Sequence, residues 1–341
     1  MNWKNYRKKF TLVASSQGYT NDEIKIALKY ARKLVQHNLP IIYSQNHFAT
    51  LVGYSIEYLR RASSKENNSF YRHFTIPKKS SEKNREIDEP LPSLKEIQRW
   101  ILDNILCEIP ISPYSKAYRK GQSIKSNARF HIKQKYVVRL DIKDFFPSIN
   151  FKQVFKIFKE TGYSKEVCGL LTGLCSLDNC LPQGAPTSPA LSNIFMYRFD
   201  NRISKYCVKN KIRYTRYADD MTFSGDFNYG SLISIANKIL SDYELELHHE
   251  KTKVMTQAQQ QRTTGLILNS KMNTPRVLRR KIRQELHYLK KFGLSGHLNY
   301  TQNTKANYLQ HLLGLCNFVL NINPQDRDAL EARSFIYKKI S

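Results

Sequence analysis

Apolar positions recur at helical spacing in some stretches of the chain and alternate in others. Ile24, Ala27, Leu28, Ala31, Leu34 and Val35 share one face, which predicts a helix over 22–36, capped by Asn21 and ended by Leu39-Pro40. Segments 48–53 and 55–59 have the spacing of two short helices around a glycine turn. That pattern is open to two readings, a packed helical pair or a DNA-binding helix–turn–helix. Leu94, Ile97, Ile101, Leu102 and Ile105 predict a helix over 94–106. From 136 to 142 the period drops to two: Val138, Leu140 and Ile142 alternate with Arg139 and Asp141. One face of that strand enters a core and the other carries polar groups.

Downstream, helices are predicted over 151–159, through Leu191, Ile194, Phe195 and Phe199 after a Pro/Gly loop at 181–189, and over 231–243. Strand-like runs occupy 212–217 and 221–224. The alternation over 136–268 predicts an α/β (α+β) region, an antiparallel sheet backed by helices. Beyond Ser270 the strand pattern vanishes, and 276–292 and 306–320 read as helices. Three segments follow: a helical 1–65, a mixed 66–268 and an all-helical 269–341.

Charge narrows the partner. Against 55 Lys+Arg stand 28 Asp+Glu, a formal net charge of +27 over 341 residues. An excess of that size implies a polyanionic partner, nucleic acid before a membrane surface. No 18-residue apolar run exists, and 11–14 is too short for a signal-peptide core, so a cytoplasmic protein with no membrane partner is expected. Six cysteines are scattered without a Cys-x-x-Cys pair, and Cys168, Cys175 and Cys180 have no nearby His; reduced, buried thiols are expected rather than a zinc site.

The chemistry concentrates at Tyr217-Ala218-Asp219-Asp220, between two strand-like runs. Adjacent carboxylates at the exposed tip of a hairpin repel each other, and a cation usually explains them. With Asp141 near the end of an upstream strand, three aspartates form the oxygen set that a two-metal phosphoryl-transfer site needs. Two Mg²⁺ ions about 3.5–4 Å apart would stabilise the attacking and leaving oxygens, with Mn²⁺ a possible substitute.

These residues carry a resemblance. Together, 217–220, Asp141-Ile-Lys-Asp-Phe-Phe-Pro-Ser-Ile149 and Leu181-Pro-Gln-Gly-Ala-Pro-Thr-Ser-Pro-Ala-Leu-Ser-Asn193 resemble the reverse transcriptases, in that family's order and spacing. Phe74-Thr-Ile-Pro-Lys-Lys79 with Arg85-Glu-Ile87 resembles its first fingers block; His249-Glu-Lys-Thr-Lys253 and Gly265-Leu-Ile-Leu-Asn269 resemble its last palm blocks. Asn127-Ala-Arg-Phe-His131 resembles the Asn-Ala-x-x-His signature of bacterial retron reverse transcriptases. Their Val-Thr-Gly signature reads Thr263-Thr264-Gly265 here, departing at its first residue.

The resemblance implies a right-hand polymerase of fingers, palm and helical thumb, with 66–268 as fingers and palm. It implies RNA-directed DNA polymerase activity, with Asp141, Asp219 and Asp220 as catalytic metal ligands. Lys78, Arg85, Phe146, Gln183 and Lys251 would contact the incoming deoxynucleotide triphosphate. Phe146 would exclude a 2′-hydroxyl, Phe145 would be core, Gly184 would allow close backbone approach, and Asp144 would face solvent or a basic neighbour.

It further implies a cognate structured non-coding RNA, priming from an internal 2′-hydroxyl, a branched multicopy single-stranded DNA (msDNA), an effector protein and a role in anti-phage defence. RNA contacts are expected at Asn127 and His131. In the thumb they are expected at Arg276, Arg279, Arg280, Arg283, His287 and Tyr288, where basic residues flank the helical stripe of Leu278, Ile282, Leu286 and Leu289. The alternatives are a group II intron-like or other bacterial reverse transcriptase, and a non-catalytic RNA-binding relic.

Overall fold

The computed structural model describes residues 2–77, 84–302 and 307–340. In chain order its elements begin α1 (Trp3–Ser16), α2 (Asn21–Gln36), α3 (Gln45–Val52), α4 (Ile56–Ala62), β1 (Tyr71–Pro77), β2 (Asn84–Pro90), α5 (Pro92–Asn104) and α6 (Ile124–Ala128). They continue with β3 (Tyr136–Asp141), α7 (Phe151–Thr161), α8 (Lys165–Cys175), α9 (Ser188–Phe195), α10 (Tyr197–Lys209), β4 (Arg213–Tyr217), β5 (Asp220–Gly225) and α11 (Tyr229–Ser241). The last are β6 (Lys253–Thr256), β7 (Arg262–Thr263), β8 (Leu266–Ile267), α12 (Arg276–Thr301), α13 (Tyr308–Ile322) and α14 (Arg327–Ile340).

They fall into two units, each assembled from separated stretches. The first comprises Met1–Tyr118, Ile142–Ile203 and Asn237–Glu246; the second comprises Arg119–Asp141, Ser204–Ala236 and Leu247–Ser341.

In the first unit, α8 is the central helix. Val167, Cys168, Leu170, Leu171, Leu174 and Cys175 are all buried, and α8 packs against α4, α5 and α7. Gly173 is required there, because a Cβ would sit 2.2 Å from the carbonyl oxygen of Ser63. All six cysteines are free thiols, and burial pushes Cys175 up to about 12. The cap of α2 is Thr20 rather than Asn21: its side chain accepts the Glu23 amide while Glu23 accepts from Thr20, a reciprocal capping box. Helix α1 lies within the segment 1–65 expected to be helical, ahead of the helices whose positions the apolar spacing predicts.

The second unit holds a four-stranded antiparallel sheet in the order β4-β5-β3-β6. In β3, Val138 and Leu140 are buried and Arg139 and Asp141 half-buried, as the alternation predicts; Val137, on the face of Arg139, departs from it and is buried in a cluster with Met255, Leu266 and Leu268. The unit's last three helices share their own core, including Ile282, Leu286 and Leu289 of α12, Leu312, Cys316 and Val319 of α13, and Ala329, Ala332 and Ile336 of α14. Helix α14 is an addition to the two helices that the sequence predicts. The expected stop at Phe292 is a break rather than an end: Gly293 takes φ 68° and ψ 176°, and helix resumes beyond it.

Candidate functional site

Strands β4 and β5 are joined by a two-residue turn, Ala218-Asp219, with Tyr217 paired to Asp220. Ala218 has φ 58°, a left-handed conformation that glycine usually supplies in such hairpins. Arg216, wholly buried, donates from Nη1 to the Ala218 carbonyl at 3.0 Å. That bond holds the carbonyl of the residue whose backbone is least comfortable. Register then sets the carboxylates: Asp141, the last residue of β3, lies opposite Asp220, the first of β5.

Each carboxylate is treated differently. Asp220 receives a two-pronged bond from Arg139, Nε to Oδ1 at 3.2 Å and Nη2 to Oδ2 at 2.5 Å. Burial raises the Asp220 pKa and Arg139 opposes that rise. Asp141 pairs through Oδ1 with Lys251 Nζ at 2.8 Å, and its carbonyl accepts the His248 amide at 2.8 Å. Asp219 has no ion pair among the described residues. Burial, and then the charge of Asp141, push it up to about 6. The expected exposed tip is thus a partly buried one, and charge repulsion there is met by two cations from neighbouring strands and turns. Among the described residues no three His, Cys, Asp or Glu side chains converge as a ready-made metal cage. Even so, three carboxylates with one left uncompensated make an all-oxygen donor set that fits a hard divalent cation.

Behind the hairpin lies a buried polar network. His131 is wholly buried, with Nδ1 2.7 Å from Ser224 Oγ and Nε2 2.7 Å from Thr215 Oγ1, so one ring ties β4 to β5. Burial lowers its pKa to about 3, and the ring is neutral. Asn127, also wholly buried, donates to Thr263 Oγ1 at 3.5 Å, and Thr263 Oγ1 lies 2.7 Å from Thr222 Oγ1. The two signatures, far apart in sequence, therefore meet against β5. Direct RNA contact by Asn127 and His131 is corrected accordingly: both are sealed inside the protein and bonded to it. The residue at which the second signature departs, Thr263, supplies the hydroxyl that both Asn127 and Thr222 bond.

The first unit holds other predicted residues. Phe145 is buried and Phe146 half-buried, its ring 6.5 Å from that of Tyr118. Asp144 is exposed at φ 43°. The Gln183 carbonyl accepts the Asp88 amide at 2.9 Å. Gly184 does allow a close approach, and the approaching group is protein backbone: at φ 142°, a Cβ would lie 2.8 Å from the Asp88 carbonyl oxygen. Arg85 is exposed on β2, opposite Ile76. Lys78, expected beside it, lies outside the described residues.

On α12, Arg276, Arg280 and His287 are exposed. Arg279 and Arg283 instead lie 3.7 and 3.5 Å from Asp326 and Asp328. Tyr288 is stacked between Phe292 and His297 at 6.1 Å from each. Arg279 and Tyr288, both half-buried, are corrected from RNA contacts to packing within the helical bundle, whereas Arg283 keeps its side chain 63% exposed beside Asp328. Arg139 and Arg216 were missed as site residues. Arg139 was legible, since a period of two places it on the same face as Asp141; Arg216 was not, because its role depends on the fold of the turn.

The family model described as reverse transcriptase (RNA-dependent DNA polymerase) matches residues 76–295. The Retron Ec86 reverse transcriptase of Escherichia coli is 33% identical over 76% of this chain and 79% of that protein. The Retron Mx65 reverse transcriptase of Myxococcus xanthus is 30% identical over 92% and 76%. Among solved structures, a telomerase of Candida albicans in complex with a fragment of telomeric RNA aligns with a TM-score of 0.48 and 13% identity, over 79% of this chain and 63% of that one. The chain belongs to the reverse transcriptases, RNA-directed DNA polymerases, and among them to those of retrons.

Proposed function

We propose that this polymerase begins DNA synthesis at a 2′-hydroxyl inside a cognate structured non-coding RNA and leaves a branched RNA–DNA product, multicopy single-stranded DNA. Its family membership makes RNA the template. The observation that carries the assignment of the site is Asp219, a partly buried carboxylate held beside Asp141 and Asp220 with no cation of its own among the described residues. Reverse transcriptases work with divalent metal ions, and Asp141, Asp219 and Asp220 would hold them here, as Mg²⁺ with Mn²⁺ able to replace it. When bound, such ions supply Lewis-acid polarisation of the primer hydroxyl and the triphosphate.

The protein's own part is positioning. Arg139 fixes the Asp220 carboxylate, Lys251 fixes that of Asp141, and Arg216 fixes the turn between the strands. Lys78, Arg85, Phe146, Gln183 and Lys251 are proposed to meet the deoxynucleotide triphosphate, with the Phe146 ring rejecting a 2′-hydroxyl. Residues 66–268 act as fingers and palm and 269–341 as thumb, where the exposed Arg276, Arg280, Arg283 and His287 grip RNA. A neighbouring effector protein, anti-phage defence and a cytoplasmic setting complete the reading. No helix among the described residues is long and apolar enough to cross a membrane.

The experiment is to purify the chain with its co-purifying RNA, add Mg²⁺ and deoxynucleotides, and sequence across the RNA–DNA junction. A 2′-branched junction supports the reading; linear products extended only from added primers refute it.

A further inference from the structure

A cleft of about 780 Å³ opens in the first unit beside α1, α2 and the start of α3, among residues that polymerisation does not use. That volume lies within the roughly 300–1,000 Å³ of small-ligand sites. Its walls include Tyr6 and Phe10 of α1, Tyr43 and His47, with the exposed Asn38 and Asn104 also lining it. The rings form a ladder: Tyr6 on Phe10 at 5.9 Å, Phe10 on Tyr43 at 5.5 Å and Tyr43 on His47 at 5.8 Å, each pair stacked. A hydrogen bond of 2.9 Å between the Tyr6 and Tyr43 hydroxyls fixes the geometry.

This ladder is not simply core. Of the fourteen residues of α1 only Ala14 is buried, and Tyr6, Phe10, Tyr43 and His47 all keep part of their surface open. His47 Nδ1 accepts the Tyr43 amide at 3.3 Å, so the neutral ring carries its proton on Nε2 and offers a donor. Burial lowers the His47 pKa and favours that neutral form. The Asn38 and Asn104 amides can add both donors and acceptors. Helix α1 carries Lys4, Arg7, Lys8 and Lys9, all exposed, and no acidic residue.

Flat rings, edge donors and acceptors, and two cations, Arg7 and Lys9, on either side of the Tyr6–Phe10 face of α1 match one chemistry. We propose that this cleft holds an unpaired base of a single-stranded nucleic acid, stacked on the aromatic ladder, with the flanking phosphates on the cations of α1. An acidic peptide or a lipid headgroup would use the cations and leave the stacked rings unexplained. Single-stranded RNA and single-stranded DNA present the same base and phosphate chemistry here, and the test separates them.

Short labelled single-stranded RNA and DNA oligonucleotides, with a blunt duplex as control, are titrated against the full chain by fluorescence anisotropy. Tyr6→Leu with Phe10→Leu keeps apolar bulk on α1 and removes two π faces. Single-strand affinity should fall roughly ten-fold, as the loss of one base–aromatic stack predicts. Duplex affinity and extension of an annealed primer should stay at wild-type values. The oligonucleotide that responds, RNA, DNA or both, identifies the source. Arg7→Ala with Lys9→Ala should lower the salt slope for single strands by about 1.4, at roughly 0.7 per charge.

Photo-cross-linking of a thiouridine oligonucleotide to the wild-type chain gives an independent reading that no folding defect can obscure. Tagged peptides covering 3–10 or 38–47 support the cleft. Unchanged affinity for both single strands in the leucine variant, an equal loss on duplex, or cross-links confined to other peptides would overturn the proposal. So would a leucine variant that loses a protein partner while both oligonucleotide affinities hold.

Discussion

Asp219→Asn should make the protein more stable and inactive at once. In the folded chain the Asp219 carboxyl titrates at about 6, against an ordinary value of 3.8. Burial and the Asp141 charge both disfavour its ionised form, so the fold binds that proton more tightly than the unfolded chain does. Stability tied to this group is therefore complete below about 3.8, declines as pH rises between the two values, and is lost above about 6. At about 1.4 kcal/mol per pH unit the difference corresponds to about 3 kcal/mol at neutral pH, an upper limit because water reaches part of the turn.

Asparagine has nearly the same shape and no charge, so the variant should avoid that cost. The assay is urea denaturation of wild type and variant from pH 4 to 7.5 in the presence of a chelator. The curves should agree at the acid end and separate by up to about 3 kcal/mol at the neutral end, with the variant the more stable. Excess Mg²⁺ should close the gap by stabilising wild type alone, through mass action on the ionised carboxylates. In the same preparations the variant should retain RNA and make no DNA. Parallel pH profiles for the two proteins would refute the assignment of Asp219 as the uncompensated charge, and polymerase activity in the variant would refute its catalytic role.

Replacing Phe146 with Ala should raise the ratio of kcat/KM for ribonucleotides over deoxynucleotides, because the proposed barrier is contact of the ring with the 2′-hydroxyl; an unchanged ratio would assign the ring to packing against Tyr118. Thr263→Val should destabilise the fold by about 1–3 kcal/mol in chemical denaturation, since it strips the partner from the buried Asn127 amide and the Thr222 hydroxyl. A neutral result would mean that the network re-pairs. Arg276→Ala with Arg280→Ala should weaken cognate RNA and leave the melting temperature alone. Arg279→Ala should lower the melting temperature, because Asp326, only 7% exposed and the cap of α14 through the Ala329 amide, loses its cation. The reverse pattern in RNA binding and melting would overturn the division of α12 between its exposed arginines and the half-buried Arg279.

Much of this was written in local order. A period of two around Asp141, a turn flanked by strand-like runs at 217–220 and helical stripes in the last seventy residues are short-range patterns, and they appear where they are read. The family was legible for the same reason: its motifs are contiguous stretches. Helix α1, with Trp3, Tyr6, Phe10 and Ala14 on one face, and α14, with Ala329, Ala332 and Ile336, carried the same signal beneath heavy charge.

What the sequence could not determine depends on partners brought together from distant positions. Nothing in the spacing of Asn127 and His131 shows that both are sealed under β5, or that Thr263 and Thr222 complete the network from more than ninety residues away. Likewise Arg279 and Arg283 read as free cations until α14 folds against α12 and brings Asp326 and Asp328 to them. Side-chain type and period are local properties of a chain. Burial, ion pairing and the rise of the Asp219 pKa are properties of neighbours, and only the closed tertiary structure decides who those are.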